Sequence, residues 1–363
     1  MKGTFRLLTI AKIPVYIHWS FGLVFFYLWY EGERSALNWI ELCWLAFFIL
    51  TIFVCVVLHE FGHALTARYY GVETKDIILS PIGGIARLSR LPEKPLQEFF
   101  VALAGPLVNF GIAILLSVYF LFFPFSDLQL LIVQKDPRAF VPVLVGLNVL
   151  LGGFNLLPAF PLDGGRIFRA LLSIRLGRIR ATKFAVIIGQ LIAVACFYVA
   201  YVRSDFVLAF FGLFVIYMAT HEYRNVKLTA ILAEGKISEI MHAPIKELRK
   251  SQQLDLVFDY FKRGLGRNFL IFDDEEDTVI GVLPEASIIK AMKQSGWENH
   301  RIAGLMTPHF DQAQVNDSLR EVFLEMYEPD KELVVAIYDE EEVVGLLDLD
   351  MIYHYLEIRK KLT

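Results

Sequence analysis

Residues 45–57 carry no charged side chain, and this apolar run leads straight into Leu58-His59-Glu60-Phe61-Gly62-His63. Such a run is stable as a buried or lipid-facing helix, and three ionisable groups at its end are costly there unless they are put to use. On a helix, residues four apart share a face. His59 and His63 can therefore offer two imidazole nitrogens to one Zn2+, with Glu60 beside them as a base toward a water activated by that ion. The bare pattern fixes only three residues, and in a soluble helix it would as readily mark two unrelated polar contacts. The apolar setting favours metal chemistry.

Charge is divided unevenly along the 363 residues, of which 56 % are hydrophobic and 20 % charged. Residues 1–223 hold 18 Lys/Arg and 13 Asp/Glu, a net of +5, while residues 224–363 hold 17 and 26, a net of −9. The division predicts a membrane domain followed by an acidic soluble one. Cys43, Cys55 and Cys196 all lie in apolar segments and read as small buried hydrophobes rather than a disulfide framework. Lys2, Arg6 and Lys12 are interrupted by apolar pairs, and no cleavage-site pattern follows, so no removable signal is expected.

Hydrophobic runs predict six spans, at about 19–30, 39–70, 99–123, 140–157, 184–202 and 206–218. Before them, alternation in Phe5-Arg6-Leu7-Leu8 and Val15-Tyr16-Ile17-His18 suggests a surface-lying or strand-forming lead-in. Residues 71–95 are not helical in pattern: 72–79 and 85–88 read as short strands, broken by Pro81 and Gly83-Gly84. Irregular backbone at membrane depth must lie against protein or water, which places this stretch next to the motif helix. A free strand edge there could hold an extended substrate by backbone hydrogen bonds, or the stretch could be a plain connecting hairpin. In the third span Gly105-Pro106 thins the helix and frees a carbonyl. Asn109, one turn on, either meets water or substrate or serves packing.

The fourth span ends in Asn155-Leu156-Leu157-Pro158-Ala159-Phe160-Pro161-Leu162-Asp163-Gly164-Gly165-Arg166. Asp163 is the only acidic residue between Asp136 and Asp205. A third ligand is what His59 and His63 lack, and a carboxylate suits zinc while leaving a fourth position for water. The alternatives are a helix cap or a partner for Arg166. Residues 166–183 form the strongest basic run. Lying between two spans, the run reads as a cytoplasmic loop rather than a nucleic-acid site, as Lys135, Asp136 and Arg138 read as a loop before it. With six spans both termini then share the cytoplasmic side with Asp163 and the end of the motif helix.

The C-terminal part repeats. Ile237-Ser238-Glu239-Ile240-Met241 matches Ile302-Ala303-Gly304-Leu305-Met306 at a separation of 65 residues, and Val279-Ile280-Gly281-Val282-Leu283 is echoed by Val343-Val344-Gly345-Leu346-Leu347. Each unit of about 60 residues reads as a helix, two strands and a closing helix. Units that small are marginal alone and should pack on each other.

On these motifs residues 1–223 resemble the site-2 protease family of intramembrane zinc metalloproteases. Residues 237–295 and 302–360 resemble a tandem pair of CBS domains, with 224–236 as linker. The fold implied is a polytopic α-helical membrane protein of six transmembrane helices with a short β-rich segment, followed by a soluble α/β CBS pair. The resemblance makes His59, His63 and Asp163 the zinc ligands, Glu60 the base and Asn155 a polar group near the scissile carbonyl. Here Phe160-Pro161-Leu162-Asp163-Gly164 stands where many relatives have a shorter Asn-Pro-Asp-Gly form, so the ligand is kept and the route to it altered. The activity implied is that of a zinc metalloendopeptidase, cutting a membrane-spanning protein substrate in the bilayer of a prokaryotic plasma membrane with the CBS pair cytoplasmic. The pair implies ATP or another adenosyl nucleotide as a regulatory ligand, with Ser287, Asp348 and Asp350 as candidate contacts, and a homodimer. Its alternative role is structural dimerisation. No P-loop glycine pattern is present, so nucleotide hydrolysis is not expected. The competing class, a zinc-bearing membrane scaffold or transporter, fits less well, because residues 99–121 carry no charge and the ligand set comes with a base.

Overall fold

The computed structural model describes residues 3–81, 83–89, 92, 94–122, 140–326 and 334–362. The expected loop at Lys135, Asp136 and Arg138 lies outside them. The chain divides into two compact units, Met1–Val226 and Lys227–Thr363.

The first unit opens with strands β1 (Thr4–Ile10) and β2 (Ile13–His18), followed by helices α1 (Gly22–Arg34) and α2 (Trp39–Tyr69). Ala11 and Lys12 take φ of 50° and 66°, the left-handed pair that a two-residue hairpin needs to match strand twist. Asn38 and Glu41 cap α2 reciprocally, the Asn38 side chain accepting from Glu41 N and the Glu41 carboxylate from Asn38 N. Strands β3 (Thr74–Ser80) and β4 (Gly83–Leu88) complete a sheet of order β1-β2-β3-β4. The β2–β3 pair is parallel, with Val15 opposite Ile77. Its crossover is the α1–α2 segment, so the sheet folds back onto α2. Ile13, Val15, Ile77 and Leu79 bury against Phe61 and Ala64 of α2.

Helix α3 (Pro95–Ser117) and the short α4 (Tyr119–Phe122) follow, then α5 (Phe140–Asn155), α6 (Asp163–Leu176), α7 (Arg178–Arg203) and α8 (Phe206–Glu234). Among the described residues four helical stretches are long and apolar enough to cross a membrane: Trp39–Tyr69, Pro95–Phe122, Arg178–Arg203 and Phe206–Glu234. The chain is an integral membrane protein. The other two expected spans correspond to α1, of 13 residues, and α5, of 16, which fall short of the roughly 20 residues that a perpendicular crossing needs. Two further expectations are corrected. Residues 166–183 are not a loop: α6 and α7 fill them, separated by Gly177 at φ 75°. Nor are residues 224–236 mainly a linker, because α8 runs to Glu234 and its Leu228, Ile231 and Leu232 join the core of the second unit.

The second unit holds two repeats. The first comprises α9 (Leu254–Lys262), β5 (Phe269–Phe272), β6 (Val279–Leu283) and α10 (Glu285–Met292). The second comprises β7 (Asp311–Gln314), α11 (Leu319–Glu325), β8 (Val334–Asp339), β9 (Glu342–Asp348) and α12 (Leu349–Leu362). The repeats exchange their leading segments. His242 and Leu346 of β9 trade both backbone hydrogen bonds, and Thr307 and Val282 of β6 do the same. Ile237 and Ile240 accordingly bury with Leu319, Val322 and Leu347, while Ile302 buries with Leu254, Ile271 and Ile288. The limits 237–295 and 302–360 therefore mark the sequence repeat, and each folded half borrows its first segment from the other.

Candidate active site

A helix turns roughly 100° per residue, and that angle splits the motif of α2 between two neighbours. His59, Gly62 and His63 face α3, where Gly62 lies against the Ala104 carbonyl. Glu60, Phe61 and Ala64 face the sheet. Glu60 thus stands on the flank of the histidine face. Its stem packs on Gly84, and Oε2 accepts a hydrogen bond from Ala86 N of β4 at 2.9 Å. Among the described residues, its other oxygen meets no donor.

Asp163 is the first residue of α6. It does not cap that helix, whose N-cap is Leu162; its carboxylate reaches the histidines instead. His59 Nε2 lies 3.0 Å from His63 Nε2, and each lies 3.2 Å from Asp163 Oδ2. All three residues are buried, and among the described residues theirs is the one such cluster able to hold a metal ion. Ligand bonds of about 2.0 Å in a tetrahedron put ligand atoms about 3.3 Å apart, close to the spacing here.

The proton positions argue for a cation independently. His63 Nδ1 lies 2.7 Å from the Val101 carbonyl, which can only accept, so His63 carries its proton there. His59 Nδ1 meets Asn109 Oδ1. The Asn109 amide is oriented by giving its own N–H to Asn148 Oδ1 at 3.1 Å, and Asn148 in turn donates to the Leu144 carbonyl at 2.9 Å. His59 therefore also carries its proton on Nδ1. Two imidazole lone pairs and a carboxylate oxygen converge with no proton assigned among them, an arrangement that a bound Zn2+ satisfies. Space is kept for it. A Cβ on Gly105 would lie 2.3 Å from His63 Nε2 and 2.6 Å from His59 Nε2. Pro106 withholds an N–H from the Ala102 carbonyl where α3 meets the ligands.

Asn155 ends α5, half-buried, and its amide makes no hydrogen bond among the described residues. The start of α6 lies against the backbone of Leu156 and Leu157 through Gly164, which brings the Asn155 turn beside Asp163. Of the candidate nucleotide contacts, Asp348 is buried and both its oxygens are engaged, accepting from Asn268 Nδ2 at 2.8 Å and Met351 N at 2.9 Å. Exposed Asp350 meets Arg267 at 3.3 Å, and Ser287 lies half-buried in the first turn of α10. Asn268 links the two helix starts, because its Oδ1 accepts from Glu285 N at 3.0 Å. Sequence reasoning missed Asn148, Asn268 and the Ala86 N–H. Asn148 did leave a signal, as an amide in the middle of the apolar run of α5.

Apolar spans carrying two histidines and a carboxylate about one centre, with a second carboxylate on their flank, define a membrane-embedded metallopeptidase. The family model described as Peptidase family M50 matches residues 47–131 and 130–199. A zinc metalloprotease of Methanocaldococcus jannaschii is 37 % identical over 241 residues, covering 66 % of this chain and 67 % of that protein. The chain belongs to peptidase family M50, the site-2 protease family, and is a zinc metalloprotease. Among solved structures, a site-2 protease from Methanocaldococcus jannaschii is similar at 35 % identity, with a TM-score of 0.46, over 61 % of this chain and 95 % of that one. The CBS domain of a bacterial CNNM/CorC family Mg2+ transporter covers 37 % of this chain and 82 % of its own, at 15 % identity and a TM-score of 0.31.

Proposed function

We propose that this protein hydrolyses a peptide bond in or near a transmembrane segment of a membrane protein, at the cytoplasmic side of a prokaryotic plasma membrane. One observation carries the reading: His59, His63 and Asp163 converge on one centre with both imidazole protons turned outward, beside a half-buried Glu60. Zinc held there supplies an electrophile for the scissile carbonyl and acidifies the attacking water. Glu60, anchored by Ala86 N through one oxygen, takes the water's proton with the other and returns it to the leaving amine. The Asn155 amide donates to the developing oxyanion. A helical amide is shielded and already hydrogen-bonded, so the substrate must unwind. The outer edge of β4, next to Glu60, receives it as an added strand.

In this reading α1 and α5 complete six spans as short or protein-shielded helices. Residues 1–223 form the protease domain. The basic stretches at 2–12 and 166–183 support a cytoplasmic side for both termini and the C-terminal repeats. The repeats join two chains as a homodimer and bind ATP or another adenosyl nucleotide as a regulator, with Ser287 and Asp350 as contacts and Asp348 holding the helix starts in place.

The test uses the whole protein purified in detergent. Glu60→Gln should retain zinc, trap transmembrane substrates for identification, and cleave them at least a hundredfold more slowly than wild type (about 10²–10⁴ for a lost general base). Equal cleavage would refute the general-base role. Calorimetry with millimolar ATP tests the repeats, and absence of heat removes the nucleotide.

A further inference from the structure

Arg169 of α6 is the largest fully buried side chain among the described residues, at 0 % exposure, and the proposed chemistry does not use it. Each of its three nitrogens has a carboxylate partner. Nε donates to Glu98 Oε1 at 2.9 Å, Nη2 also reaches Glu98, and Nη1 donates to Glu222 on α8. Its Cζ lies over the ring of Phe160, 5.0 Å from the centroid, in the connector that leads to Asp163. Glu98 is further approached by Arg178 at 3.6 Å. Two cations and two anions thus form a neutral set joining α3, α6, α7 and α8, with Arg169 and Glu98 buried and Arg178 and Glu222 at its partly exposed rim.

Well-packed apolar residues generally match a buried ion cluster in stability, so stability alone does not account for one. Ionisable groups in a membrane domain also point to function. The position of Glu98 indicates which function. Along the buried face of α3 stand, in order, Glu98, the Val101 carbonyl that orients His63, Gly105 against both imidazoles, and Asn109 that orients His59. Arg169 ties this face to the helix that begins with Asp163. We propose that Arg169 is a positioning residue for the metal centre. It fixes the carboxylate ligand on α6 relative to the histidine supports on α3, with Glu222 as a second anchor. Lysine cannot reproduce this, because a point charge does not span Glu98 and Glu222 with a rigid fork.

This inference rests on the zinc site proposed above, and the test separates the two. Zinc release to a chelator is timed for the zinc-loaded whole protein in detergent, at a temperature where every variant is folded. Arg169→Lys and Glu222→Gln should release zinc about tenfold faster or more, the lower end for a residue supporting metal ligands. The control is Asp76→Asn, which breaks the pair between buried Asp76 and half-exposed Arg87 in the β3–β4 hairpin. It should lower the melting temperature and leave zinc release unchanged. Hydrogen exchange in zinc-free protein should show the first turn of α6 opening faster in Arg169→Lys and Glu222→Gln, and unchanged in Asp76→Asn. Wild-type zinc retention in both cluster variants would overturn the inference, as would equal zinc loss in Asp76→Asn. Wild type that binds no zinc would overturn the site itself, and α6 exchange would then decide the role of Arg169.

Discussion

Asn109 accepts the Nδ1 proton of His59 while giving an amide proton to Asn148, so the tautomer of a metal-facing imidazole is fixed two side chains away, at the Leu144 carbonyl. Asn109→Leu removes the acceptor and frees the ring. Zinc affinity should fall about 10–100-fold, as for other partners of ligand histidines. Asn109→Asp keeps an acceptor toward His59 and should bind zinc more tightly than Asn109→Leu. Competition with a chromogenic chelator measures both.

Gly105 faces the two Nε2 atoms so closely that a single methyl would stand in the ligand space. Gly105→Ala should therefore give folded, helical protein with little or no zinc. Metal analysis beside circular dichroism decides it, and a stoichiometric zinc content would show that the imidazoles can step aside.

Ala86 N points to Glu60 rather than into the β3 ladder, at an edge where proline is tolerated. Ala86→Pro deletes that donor. A hydrogen bond to a charged group is worth about 1.5–3 kcal/mol; kcat should fall tenfold or more with zinc content unchanged.

In the C-terminal repeats Gly281 and Gly345 occupy equivalent positions and meet unequal neighbours. A Cβ at Gly281 would come 2.7 Å from the Thr307 carbonyl, whereas at Gly345 it would meet the Met241 side chain, with Sδ at 2.6 Å. Backbone cannot step aside and a thioether can. Gly281→Ala should destabilise the second unit by about 3 kcal/mol and Gly345→Ala by about 1 kcal/mol, the range for overpacked cores. Urea melts followed by hydrogen exchange in residues 236–362 separate the two, and zinc retention should be unaffected in both.

The four groups His59, Glu60, His63 and Asp163 were legible because ionisable side chains are rare in apolar sequence, so each stood out. The strands around Pro81 and Gly83-Gly84 were legible through turn chemistry, and the C-terminal repeat through spacing. What stayed hidden has a physical reason in each case. The Ala86 N–H belongs to the backbone, and every residue except proline has one. Arg169 read as part of a basic flank, since its partners lie 71 and 53 residues away and charge along a sequence does not tell buried from solvated. The segment exchange between the repeats was invisible because both versions satisfy the same local hydrophobic pattern. The short α1 and α5 show the limit of hydropathy, which counts apolar residues without knowing which are shielded by protein.

Helix α8 runs unbroken from Phe206 to Glu234, with Glu222 bonded to Arg169 and Leu232 in the core of the repeats. Genes that exchange modules need a join that both partners can lose without injury. Here, a join after 223 would leave Glu222 one residue from a free chain end, and one after 236 would strip Leu228, Ile231 and Leu232 from the repeats. A cut at either place therefore removes contacts from one half, and replacing either half at this junction requires rebuilding α8.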